Sequence, residues 1–303
     1  MTGMAVRAGG RRVPDHLLGA LRRTVAAHAD PPLLRRRLEE DGYLYLPAVL
    51  DGKRVLAARR EVFDRLAEVG EIRRPAADGI ATGTSRRAEL IDDPGAFLRS
   101  VCEGAAIRAV THGAPLHRIM TTALDAPARA FDFLWLRTMA VGRASPLHFD
   151  HVYMNRGSRR VLSAWMPLGA VPPGDGPLMI VAGSHRWDDL IAEYRGHDVE
   201  RSPGRPGALP DDPIDLAQDR DCQLLTADFG PGDVVVFGMF TLHGSFDNDS
   251  AAGRVRLSCD ARYQPEEDAV DRRWFGPDPP GHGGQGYGAL SAAQPLTAPP
   301  LCR

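Results

Sequence analysis

Lysine is almost missing from this chain: of 37 basic residues only Lys53 is a lysine, and the rest are arginine. Alanine, glycine and proline are abundant as well, so the imbalance reads as the codon bias of a GC-rich genome. Arginine clusters therefore carry less weight as anion sites here than they would elsewhere. A basic excess is also lacking. The formal charge is −2 at pH 7 and the pI about 6.6, which leaves no surplus to neutralise a phosphate backbone and argues against a nucleic-acid partner. No apolar run approaches the ~18–20 residues that span a bilayer, so no membrane partner is expected. The four cysteines, Cys102, Cys222, Cys259 and Cys302, contain no C-x-x-C pair, and no signal-peptide pattern precedes them. A reduced, cytoplasmic protein is the simplest reading.

What is present suits one domain over residues 1–303, a length that can bury a large core. The first dozen residues, with Arg7, Arg11 and Arg12 among glycines, read as disordered. Leucine and arginine recur at helical spacing from Pro14 to Ala27 and from Pro32 to Glu40. Asp41-Gly42 stops the second helix, and Tyr43-Leu-Tyr-Leu-Pro47 reads as a short strand. Further helical patterns follow Asp51 to about Val69, then Pro94 to Cys102 and Ala114 to Leu124. Residues 1–125 thus form a mainly helical wrapper. Within it, the polar residues 71–90 around Gly79 to Ser85 are either a surface loop or a lid.

Residues 126–265 change character. Phe131 to Val141, Arg160 to Met166, Gly176 to Ala182, Cys222 to Thr226, Val234 to Phe237 and Arg254 to Tyr263 read as strands separated by turn-rich segments. A polar insert of residues 186–221, carrying four prolines, interrupts them and is a second lid candidate. Residues 266–303 are rich in glycine and proline and read as a tail over the surface. The fold class expected is mainly β with flanking helices, an α+β chain built on a double-stranded β-helix, the cupin-like jelly roll.

Such a barrel turns side chains from distant strands into one cavity. Placed on a strand, His148 and Asp150 in Pro146-Leu-His-Phe-Asp-His151 share a face, whereas His151 points the other way. His243, 95 residues after His148, supplies the second imidazole. Two histidines and one carboxylate make the facial set that holds Fe(II) and leaves positions open. An oxygenase using 2-oxoglutarate further needs a fixed cation for the distal carboxylate of that co-substrate. Arg254, 11 residues after His243, would share a face with Arg256 and Ser258, so one of the two arginines could reach inward.

These pieces together resemble the phytanoyl-CoA dioxygenase family of Fe(II)/2-oxoglutarate-dependent oxygenases, which includes ectoine hydroxylase. The resemblance runs from Asp41-Gly-Tyr-Leu-Tyr-Leu-Pro47 through His148-Phe-Asp150, Trp165-Met-Pro-Leu, Gly176-Pro-Leu-Met-Ile-Val-Ala-Gly-Ser-His185, Pro231-Gly-Asp-Val-Val-Val-Phe and His243-Gly-Ser245 to the Arg254 strand. It implies His148, Asp150 and His243 as catalytic metal ligands. Arg254, Ser245 and, more loosely, Arg137 are the co-substrate contacts it implies, while His185 is a structural histidine. The cofactors implied are Fe(II), 2-oxoglutarate and O2, with succinate and CO2 released. Related halogenases carry a small residue at the carboxylate position, so Asp150 implies hydroxylation, with desaturation, cyclisation or epimerisation as alternative outcomes.

For the substrate, Phe149, Tyr153, Asn155, Arg156 and Trp165 are the candidate contacts, with the stretch near Thr82 as a further wall. The expected partner is a small or medium-sized metabolite of a bacterial biosynthetic pathway, and the chain is read as a monomer or homodimer. Two readings from other classes compete: a cupin-like protein that binds a metal or ligand without turnover, and a carbohydrate-binding jelly roll. The first has no use for a co-substrate arginine, and the second lacks carboxylate clusters of the calcium-binding kind.

Overall fold

The computed structural model of the protein describes residues 6–25, 30–202 and 204–298. Its strands are β1 (Arg7–Ala8), β2 (Arg11–Arg12), β3 (Leu18–Ala20), β4 (Tyr43–Leu46), β5 (Ala128–Ala130), β6 (Trp135–Met139), β7 (Leu162–Pro167), β8 (Leu178–Val181), β9 (Leu224–Thr226), β10 (Val234–Gly238), β11 (His243–Ser245) and β12 (Arg256–Pro265). A six-stranded sheet runs β4-β10-β7-β12-β5, with β6 also paired to β12. A four-stranded sheet runs β11-β8-β9-β3 and faces it. This is the jelly roll, with helices added.

The strand period explains why the layers stack as they do. On β4, Leu44 and Leu46 turn outward while Tyr43 and Tyr45 turn inward; on β10, Val234 and Val236 turn outward while Val235 and Phe237 turn inward. The outward set packs under the helices and the inward set fills the space between the sheets beside Trp165, Phe229 and Ile180. Strand β12 alternates differently. Leu257, Cys259, Ala261 and Tyr263 join the outer core, whereas Arg256, Ser258, Asp260, Arg262 and Gln264 on the other face are equally buried and polar.

The helical layer consists of α1 (Pro31–Asp41), α2 (Gly52–Glu68), α3 (Arg87–Leu90), α4 (Pro94–Cys102), α5 (Ala105–Thr111) and α6 (Ala114–Leu124). Its ends follow from local chemistry. Asp30 accepts from the Leu33 amide and Pro31 opens α1, which Gly42 ends at φ +78°. Asp51 likewise accepts from the Lys53 amide at 2.9 Å to start α2.

Three expectations from sequence are corrected. The helix expected from Pro14 to Ala27 is replaced over Leu18–Ala20 by β3, which pairs parallel with β9; its last two residues lie outside the described residues. Gly19 explains the change. It disfavours a helix interior, and its bare Cα lets the Leu225 side chain approach to where a Cβ would stand. The N-terminal dozen, expected to be disordered, forms the β1-β2 hairpin in its described part. The stretch 266–303, read as a surface tail, is packed through Trp274 and Tyr287, both at most 2% exposed; Tyr287 stacks on Phe133 at 4.2 Å. Its aromatic residues, diluted among glycines and prolines, supply the burial that the composition hides.

Two lid candidates also acquire definite places. Arg87, within residues 71–90, forms a buried ion pair with Glu71 at 2.9 Å and donates to the carbonyls of Ala292 and Gln294. That segment grips the C-terminal stretch. The insert at 186–221 contains two helices following the short α7 (His151–Met154): α8 (Asp188–Arg195) and α9 (Pro213–Asp219). Among the described residues no helix is long and apolar enough to cross a membrane.

Candidate active site

The two histidines meet through their backbones. After β6 the chain crosses residues 140–147 and returns so that the His148 amide donates to the His243 carbonyl at 2.9 Å, and the reverse bond closes at 3.2 Å. Gly244 permits the approach, since a Cβ there would meet the Ser145 carbonyl at 2.8 Å. Asp150 does not continue a strand. Its φ of −60° and ψ of −26° are helical, and it opens α7. The turn, and not the two-residue strand period, brings its carboxylate to the imidazoles.

Both imidazoles are oriented by the carbonyl two residues before them: His148 Nδ1 by Pro146 and His243 Nδ1 by Thr241, each at 2.9 Å. With Nδ1 donating, Nε2 of each ring carries the lone pair. These Nε2 atoms lie 3.8 and 4.0 Å from Asp150 Oδ1. The three donor atoms fall within 4.8 Å of one another, and the three residues are buried. Burial, with His243 adding to it, pushes the His148 pKa down to about 3, and burial also lowers that of His243. Both rings are therefore neutral donors near neutral pH. Burial alone would raise the Asp150 pKa, but Arg262 and the two histidines hold it well below the ordinary carboxylate range. Two neutral imidazoles and one carboxylate facing a common point suit a divalent cation.

The inner face of β12 surrounds this cluster. Arg262 grips Asp150 through Nη2, at 2.9 Å to Oδ1 and 3.1 Å to Oδ2, and lies over the Trp135 ring. Ser163 donates to Asp150 Oδ2. Ser163 thus holds Oδ2, Arg262 bridges both oxygens, and Oδ1 also faces both imidazoles. Asp260 pairs with Arg137 at 2.6 Å. Arg256 is different: it is 3% exposed, has no carboxylate within 4 Å among the described residues, donates to Ser258, and leaves its Nε without a partner. Burial, with Arg137 adding to it, lowers its pKa to about 10, so it remains a cation. A buried unpaired guanidinium is costly unless an anion joins it, and a dicarboxylate co-substrate fits that requirement.

A cavity of about 380 Å³ opens beside His148 and Asp150. Arg137 and Tyr153 line it, as do Arg143, Ala208, His282 and Leu290. Its walls come from β6, the crossing before His148, the insert and the C-terminal stretch. No residue from 71–90 lines it, so Thr82 is not a wall.

Several sequence candidates stand elsewhere. Arg254 does not line the cavity; its side chain is 43% exposed and pairs with Asp175 at 2.7 Å, because β12 begins only at Arg256. Ser245 is buried outside the cavity lining, with its hydroxyl accepting from the Ser145 amide at 2.7 Å. Phe149 packs against Tyr194 and Phe240 on the far side of its backbone. Asn155 donates to the His197 carbonyl. Arg156 grips Asp198 and Glu200, tying its loop to the insert. Trp165 is core, against Phe229. Of the substrate candidates, Tyr153 lines the cavity. Sequence reading missed Arg262, Ser163, Asp260, Arg143 and the C-terminal wall. The polar alternation from Arg256 to Gln264 was visible, but such a pattern ordinarily marks a solvated face.

Comparisons with known proteins give the family and the fold. A family described as Phytanoyl-CoA dioxygenase (PhyH) matches residues 38–256. A 1-deoxypentalenic acid 11-beta-hydroxylase of Streptomyces exfoliatus is 28% identical over 251 residues, covering 78% of this chain and 82% of the relative. Among solved structures, a non-heme alpha-ketoglutarate-dependent epimerase from nogalamycin biosynthesis superposes with a TM-score of 0.54 at 22% identity, covering 84% of this chain and 92% of its own. A carbocyclase from the same biosynthesis gives 0.52 at 21%, covering 82% and 88%. The last two show the shared fold.

Proposed function

This chain belongs to the phytanoyl-CoA dioxygenase family of iron(II)- and 2-oxoglutarate-dependent oxygenases, and we propose that it hydroxylates a medium-sized, largely apolar metabolite in a specialised biosynthetic pathway. One observation carries the reading: two neutral imidazoles and a single carboxylate converge beside the polar inner face of β12, where Arg256 is buried with no carboxylate partner among the described residues, although it does not line the cavity itself. His148 and His243, through Nε2, and Asp150 would hold the iron, and Arg256 would hold the distal carboxylate of 2-oxoglutarate. Bound iron and 2-oxoglutarate supply the oxidising chemistry with O2, releasing succinate and CO2.

The remaining work belongs to the chain's own side chains. The carbonyls of Pro146 and Thr241 fix the imidazole tautomers, so no ring rotation is needed before metal binds. Ser163 donates to Oδ2 and Arg262 reaches both carboxylate oxygens, so the orientation of Asp150 toward the two imidazoles is set by the fold. The apolar walls around Met139, Pro146 and Leu290 exclude water from the reacting carbon and favour a hydrocarbon skeleton. The hydroxylase similarity supports the outcome; in that relative the substrate is 1-deoxypentalenic acid.

The test is direct. Protein loaded anaerobically with Fe(II) and 2-oxoglutarate should show the visible charge-transfer band of the chelate, and succinate release in air should rise with an apolar polycyclic substrate. Absence of the band at saturating metal and co-substrate would overturn the reading.

A further inference from the structure

The cavity holds more positive charge than the co-substrate balances. Three arginines line it, Arg137, Arg143 and Arg262, and Arg256 is buried on the same face of β12 as Arg262. Arg137 is matched by Asp260 at 2.6 Å and Arg262 by Asp150 at 2.9 Å. Arg256 is matched by the co-substrate in the function proposed above. Arg143 is left over. It lines the cavity, has no carboxylate within 4 Å among the described residues, and spends one Nη2 hydrogen bond on the Leu296 carbonyl at 3.0 Å.

Arg143 is also held in place from two sides. Its carbonyl accepts from the Asn248 amide at 2.9 Å, and Leu296 anchors the guanidinium from the C-terminal stretch. A cation fixed before binding costs less to order on a ligand. Its neighbours in the wall are apolar or hydroxylic: Met139, Ala144, Pro146, Leu290 and Ser291.

We propose that the substrate is a carboxylate whose acid group docks on Arg143 while its hydrocarbon body fills the apolar part of the cavity toward His148 and Asp150. A guanidinium fork matches a planar carboxylate in two parallel bonds. The anchoring residue, Leu296, belongs to the C-terminal stretch, outside the family match at residues 38–256.

The inference rests on the oxygenase reading, and its test separates the two. The full chain, loaded anaerobically with Fe(II) and 2-oxoglutarate, is titrated with adamantane-1-carboxylate and dehydroabietate, with their primary amides, and with adamantyl phosphate, following the change in the chelate band. The acids should bind at least ~10-fold tighter than their amides. Arg143→Gln should erase that preference and leave the band without added ligand unchanged, while Arg143→Lys should keep part of it. Equal binding of acid and amide, a preference that survives Arg143→Gln, tighter binding of the phosphate, or no response to either acid would each overturn the carboxylate site. A wild-type protein without the band would instead remove the oxygenase reading beneath it.

Discussion

Strands β10 and β12 lie in one sheet, both buried on both faces, and they do opposite things. Val234 to Phe237 of β10 are apolar whichever way they point, and each is at most 1% exposed. On β12 the outward residues are apolar, but the inward Arg256, Asp260 and Arg262 are charged at no more than 3% exposure. Burial of apolar surface contributes about 25 cal/mol per Å². Burial of a charge costs several kcal/mol unless a partner offsets it. Exposure therefore cannot tell a structural strand from a working one; the partner of each buried polar group can.

The largest effect that would break this contrast is at the pair holding the metal-binding carboxylate. Asp150→Ala should abolish succinate release and destabilise the fold by about 3–5 kcal/mol, since Arg262 is left as a buried cation without its anion. Asp150→Ala combined with Arg262→Met should restore much of the stability and none of the turnover. Denaturant midpoints compare the two. A single variant as stable as the parent would mean that the pair is not formed in solution.

Adjacent residues on β12 sharpen the comparison next. Leu257→Ala should cost about 2–5 kcal/mol through the cavity it opens in the outer core, leaving 2-oxoglutarate affinity intact. Arg256→Met should leave stability equal or higher, because it removes an unpaired buried cation, and weaken 2-oxoglutarate binding by roughly 10–150-fold, the loss of a charge-assisted bond. Titration of the chelate band beside thermal melts separates the two outcomes. The reverse pairing of effects would erase the distinction between the faces.

Acid should weaken the inner face. His148, with its folded pKa pushed down to about 3 from an unfolded value near 6.5, binds its proton more readily when unfolded. Stability of the metal-free protein is therefore full above pH ~6.5 and declines as the pH falls below it, and His243 shifts the same way. Urea midpoints from pH 8 to pH 4.5 should show the decline, and His148→Asn should make it shallower, with His243 and the other histidines whose pKa is lowered carrying the rest. Smaller still is Ser163→Ala, which frees Oδ2 of Asp150 and should weaken metal binding by about 10-fold, read by anaerobic Fe(II) titration.

The outer half of this contrast was legible in the sequence, and the inner half less so. Runs such as Val234 to Phe237 after a Gly-Pro-Gly-Asp turn announce a buried strand by composition alone. His148, Asp150 and His243 were legible by type and spacing, although the turn at Asp150, not a strand face, brings them together. Arg262 was not legible. In a chain with 37 basic residues, nearly all arginine, one more arginine carries no signal until its partner is known. The C-terminal wall was hidden for another reason: Tyr287 and Leu290 sit among glycines and prolines, which read as loop whether or not the loop is packed.

The smallest effect lies where the alternation of β12 gives out. The family resemblance implies Arg254 as the co-substrate cation, yet strand pairing starts two residues later, so Arg254 leaves the inner face and meets Asp175 at 2.7 Å in a partly exposed ion pair. A pair of that kind contributes about 0–1 kcal/mol and is screened by salt. Arg254→Ala should then lower the melting temperature slightly, with the difference vanishing in high salt, and leave 2-oxoglutarate affinity where it was. A fall in that affinity larger than the one from Arg256→Met would return the role to Arg254, and would mean that the inner face of β12 extends two residues further toward its start than the hydrogen bonds draw it.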